Sequence, residues 1–104
     1  MILMSYQNFY QASRAWTKFT KSDYLNYCRQ YAVDAMKRRG YTILESSTYL
    51  VVGDKDATVA SVSLVPLSNT SIYMIIRASS SDLGLAKLER DAISDYIHKV
   101  VGMD

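Results

Sequence analysis

Between Ser22 and Gly40 the apolar positions recur at steps of three and four, through Tyr24, Leu25, Cys28, Tyr31, Ala32, Ala35 and Met36. That spacing lays one stripe along a helix and predicts a helix with a single buried face. The end signals agree with it. Ser22 can cap the first turn with Asp23 beside it, Lys37, Arg38 and Arg39 stand where the helix dipole favours cations, and Gly40 can take the left-handed cap.

After Gly40 the period drops to two. The runs YTILESSTYLVVG, ATVASVSLVPL and SIYMIIRA are rich in β-branched and aromatic residues, and the segments GDKD and PLSN between them read as turns. They predict an antiparallel meander of three strands, or of four if the first run folds back at Ser46 and Ser47. A second helical pattern follows from about Leu83 to Val101, with Leu85, Leu88, Ala92, Ile93, Tyr96, Ile97 and Val100 on one side. The run Ser79-Ser80-Ser81-Asp82 before it is of a kind that caps a helix or cradles an anion. Asp82 has the wrong charge for an anion site, so Ser81 or Asp82 is expected to be a cap.

Helix, strand, strand, strand, helix is the order of an α+β two-layer sandwich, with an N-terminal and a C-terminal helix packed on one face of the meander. Alternation assigns Leu50, Val52, Ala60, Val62, Leu64, Ile72, Met74, Ile76 and Ala78 to the core face. The opposite face then carries Tyr49, Val51, Val59, Ser61, Ser63, Val65, Tyr73, Ile75 and Arg77. That set is too apolar for a plain solvated surface, so Val51, Val59, Val65, Tyr73 and Ile75 form a candidate association face.

Residues 1–21 precede this core, 22–104, within one expected domain of 104 residues. Placed on a helix, Tyr6, Phe9, Ala12, Trp16 and Phe19 fall on one side, with Arg14, Lys18 and Lys21 opposite. The expectation is an amphipathic segment, helical or arm-like, that needs an apolar surface to lie on.

Composition narrows the chemistry. The chain is 49% hydrophobic and 21% charged with one proline, enough for one core without a disulfide framework or structural metal. The N-terminus lacks a basic region and a long apolar run, so neither a signal peptide nor a membrane span is expected and the default location is cytoplasmic. Net charge is +2, yet residues 1–40 hold seven bases against two acids. Arg14, Lys18, Lys21, Lys37, Arg38 and Arg39 are therefore a candidate basic patch, for an anion or a nucleic-acid backbone.

Catalytic groups are scarce. His98 is the one histidine and lies off the apolar stripe, while Cys28 lies within a stripe and reads as a buried small hydrophobe. The pairs Asp54/Asp56 and Asp91/Asp95 lack the ligand count of a calcium loop and the apolar setting of an acid catalyst. No enzyme motif, cofactor or metal is implied. Double-stranded-RNA-binding domains share the predicted element order. However, their final helix opens on Lys-Lys-x-Ala-Lys where this chain has LGLAK, Leu83 to Lys87, and their Gly-Pro-x-His loop is here GDKD, Gly53 to Asp56. The expectation is a small non-enzymatic protein-binding domain, most simply a homodimer formed through the outer sheet face. Backbone binding by the basic third and a small-ligand pocket between helices and sheet are the alternatives.

Overall fold

A computed structural model describes residues 13–100. It begins with a strand, β1 (Ser13–Lys21), and continues with α1 (Leu25–Arg38), β2 (Thr42–Ser47), β3 (Leu50–Lys55), β4 (Thr58–Ser68), β5 (Ser71–Ser80) and α2 (Leu83–Lys99). The α+β class holds, with an all-antiparallel sheet ordered β1-β5-β4-β3-β2. There are five strands rather than three or four, and a strand precedes the first helix. The order expected of a double-stranded-RNA-binding domain is therefore not the order of this chain.

Of the segment 1–21 expected to be helical or arm-like, residues 13–21 form a strand at the sheet edge. Trp, Thr and Phe in SRAWTKFTK favour extended backbone, and the segment pairs with β5 from Ser13 opposite Ser80 to Lys21 opposite Ile72. Alternation then separates Phe19, which packs toward the core, from Trp16, which points away. Tyr6, Phe9 and Ala12 lie outside the described residues.

Both helices cover the same face of the sheet. α1 lies over β2, β3 and β4 and α2 over β1 and β5, with the two helices in contact. The core between the layers gathers Cys28, Tyr31, Ala32, Ala35 and Met36 from α1, Ile93 and Ile97 from α2, and Val62, Leu64, Ile72, Met74 and Ile76 from the central strands. Gly40 takes φ +87°, and the amides of Gly40 and Tyr41 donate back to the carbonyls of Lys37 and Met36, the closure expected of a left-handed cap. At the other end of α1 the expected Ser22 cap is absent. Tyr24 is the N-cap, and Asp23 accepts instead from the Tyr24 amide and the Tyr31 hydroxyl.

The parity of β3 is the opposite of the one expected. Val51 is buried in the core, opposite Val62, whereas Leu50 and Val52 turn to the other face. Gly53 explains it. A Cβ there would lie 3.0 Å from the Met36 sulfur, 3.1 Å from the Thr42 carbonyl and 3.3 Å from the Tyr41 Cβ, so the strand passes close under the end of α1, where any larger residue would push its neighbours aside. Gly53 faces inward, and Val51, two residues earlier, must follow it. Gly53, Asp54 and Lys55 are thus strand, and the turn is Asp56-Ala57, with Asp56 at φ 53°.

Candidate functional site

The face of the sheet turned away from the helices has no covering element among the described residues. Its side chains align in rows set by the strand register. One row runs Arg14, Ser79, Val59, Asp54 and Thr42 from β1 to β2. The next runs Trp16, Arg77, Ser61, Val52 and Glu45. A third holds Lys18, Ile75, Ser63, Leu50 and Ser47, and a fourth Thr20, Tyr73 and Val65.

Of the five residues expected on an association face, four are on it. Val59 and Val65 are 39% and 43% exposed, and Tyr73 and Ile75 are half-buried between neighbouring rows. Val51 is the exception, for the reason given above. Trp16, which the sequence reading places with Phe19 on the apolar side of a separate segment, stands instead on this face as its largest side chain, 57% exposed. A period-two reading of SRAWTKFTK would have placed it there beside Arg14 and Lys18.

The cations of the face are concentrated on one side. Arg14 and Lys18 project from β1 and Arg77 from β5, and the segments forming β1, β4 and β5 contain no acid. Lys18 lies 6.0 Å from the centre of the Trp16 ring, and Arg77 donates to the Ser63 hydroxyl at 3.1 Å. A groove of about 300 Å³ runs beside Trp16, walled by Arg14, Arg77 and Val59 and floored by Ser61 and Ser79. The two acids of the face, Asp54 and Glu45, belong to β3 and β2 at its other end.

The structure divides the six-residue basic patch. Arg14 and Lys18 are on the open face. Lys21 faces the helices and donates to the carbonyls of His98 and Val100 at the end of α2, where a cation offsets the dipole. Lys37 and Arg38 are in the last turn of α1, the Arg38 guanidinium lying 4.9 Å from the Tyr96 ring centre. Arg39 is drawn into an ion pair.

That ion pair belongs to a polar cluster that sequence reading did not find. Glu89 is 2% exposed and lies on the buried stripe of α2 with Ala86, Ile93 and Ile97. The Arg39 guanidinium donates to it at 2.7 Å, Lys55 at 3.2 Å and the Tyr41 hydroxyl at 3.1 Å, so both oxygens accept. Burial pushes the carboxyl up, but the hydrogen bonds from Arg39, Lys55 and Tyr41 outweigh it and hold it below the ordinary value. The signal was the spacing Ala86-Glu89-Ile93-Ile97, which continues the stripe through an acid. The Arg39 Nε donates as well, at 3.3 Å, so each oxygen accepts two hydrogen bonds and the cluster joins α1, β3 and α2.

The remaining candidates stay apart. His98 is exposed, its ring 5.0 Å edge-on from Phe19, and Cys28 is wholly buried. Among the described residues no group of three His, Cys, Asp or Glu side chains is placed to hold a metal ion. No helix there is long and apolar enough to cross a membrane. No protein-family model matches the chain, and no curated protein is significantly similar to it.

Proposed function

We propose that the protein is a binding module rather than an enzyme, that its open sheet face is the working surface, and that the occupant is a second copy of the same chain. The observation that carries this reading is the asymmetry of the sheet. One face is sealed by two helices, while the other presents Trp16, Val59 and Val65 with Tyr73, Ile75, Leu50 and Val52 and no cover among the described residues. Sheets with one solvated face ordinarily alternate apolar with charged or strongly polar residues, and this one sets serine and aliphatic side chains between its few charges. The dispersal of the basic patch argues against backbone binding by the N-terminal third. The Glu89 cluster, saturated as it is, supports scaffold rather than chemistry.

The test is sedimentation of the full chain over a range of concentrations, beside Ile75→Lys. The expected result is a wild-type mass that rises toward twice the chain mass, and an Ile75→Lys protein that keeps its circular dichroism and stays monomeric. A wild type that remains monomeric at high micromolar concentration overturns the reading. Quenching of Trp16 fluorescence by a single-stranded oligonucleotide in such a monomer would assign the face to nucleic acid instead.

A further inference from the structure

The lopsided charge of the open face restricts how two copies can meet, an inference that rests on the self-association proposed above. Two identical sheets stacked face to face with their strands aligned are related by a two-fold axis lying between them, running either across the strands or along them. An axis across the strands lays β1 and β5 over the same strands of the second copy, so that the cationic side of one sheet, with Arg14, Lys18 and Arg77, lies on the cationic side of the other. Like charges set against each other in a desolvated contact oppose association. An axis along the strands exchanges the two ends of the sheet, and the cations of β1 and β5 then lie over β2 and β3 of the second copy, the strands that carry Glu45 and Asp54 next to the positions beneath Arg14 and Arg77.

The middle of the sheet fits the second arrangement. β4 is third of five strands, so an axis along it bisects the face. Its outward residues are Val59, Ser61, Ser63 and Val65, two small hydroxyls between two aliphatic side chains. Each would meet its own copy, the serines permitting close approach and the valines packing at either end. The third row brings Ile75 over Leu50 of the second copy. We infer that two chains associate face to face about a two-fold axis running along β4, with the arginine and lysine end of one sheet on the acidic end of the other.

Such an interface differs from its alternative in which residues meet themselves. With the axis along β4, Val59→Cys and Val65→Cys, each alone in the full chain, should give covalent dimers with a short bis-maleimide, because each residue faces its counterpart. Cys28 is buried and takes no part. With the axis across the strands, neither protein should cross-link alone, whereas a mixture of the two should. A charge exchange gives a second measurement. Arg77→Glu should weaken association by at least about tenfold, and adding Asp54→Lys to the same chain should recover most of the loss. Cross-linking only in the mixture, or no recovery in the double variant, overturns the axis while leaving self-association standing. A monomeric wild type overturns both.

Discussion

Arg39 and Glu89 meet at 2.7 Å, the arginine just past the end of α1 and the carboxylate facing inward from the middle of α2. The pair fastens the two helices to each other, and Lys55 and Tyr41 fasten them to the sheet. Glu89→Ala removes the one acceptor of the buried Tyr41 hydroxyl and leaves two cations to find water. The expected cost is about 1–3 kcal/mol of stability, read from urea unfolding. Glu89→Gln, which keeps an acceptor, should lose less than Glu89→Ala.

The same carboxylate sets an acid limit. Its folded value lies below the ordinary 4.5, so the stabilisation it provides is complete above that pH and is lost as pH falls through the lower folded value. As pH falls below about 4.5 the wild type should therefore lose more stability than Glu89→Gln. Parallel acid titrations of the two proteins, followed by circular dichroism, measure the difference.

Asp82 caps α2, its carboxylate accepting from the Leu85 amide at 2.9 Å. Asp82→Ala should cost about 0.5–2 kcal/mol. Ser81 is exposed and is not the cap, so Ser81→Ala should change stability by less than about 0.5 kcal/mol. An equal loss from both variants would move the cap to a shared network.

These elements show what the sequence made readable. α1, the Gly40 cap, the Asp82 cap and the inward faces of β4 and β5 follow from local period and end chemistry, because one helix or strand buries one side regardless of its neighbours. The misreadings share a different cause. β1 combines apolar spacing that also suits a helix, Trp16 with Phe19, with a pairing partner about sixty residues away, and only that pairing with β5 decides between the two. Alternation alone assigns Val51 to the outer face, whereas a register shift near Leu44 and the fit of Gly53 beneath Met36 set the parity the other way. Leu88, placed on the apolar side of α2, is exposed, and Glu89 occupies the stripe because Arg39 and Lys55 are there to meet it. Long-range partners decided each of these, and periodicity does not encode them.

Gly53→Val tests the parity of β3 directly. The added side chain meets Met36, Tyr41 and the Thr42 backbone, and should cost about 1–3 kcal/mol or more in urea unfolding. Val52→Thr, on the open face, should be nearly neutral in a monomeric background such as Ile75→Lys.

Cys28 gives an alkaline counterpart to Glu89. Burial, with Asp23 nearby, pushes its thiol from 9.0 up to about 11, so its contribution is complete below pH 9 and declines as pH rises toward the folded value. A thiol reagent should label it at the rate of unfolding rather than at the rate of a free thiol. Rapid labelling of the native protein would place it at the surface.

Trp16 is the single tryptophan of the chain and stands on the open face, so its emission reports directly on whether that face is covered. The measurement is its fluorescence spectrum as the full-length wild type is diluted from high micromolar to nanomolar concentration, with Ile75→Lys measured alongside. Self-association through the sheet predicts emission that shifts to longer wavelength on dilution, ending at the spectrum that Ile75→Lys shows throughout. A wild-type spectrum that is the same at every concentration and identical to that of Ile75→Lys would contradict it.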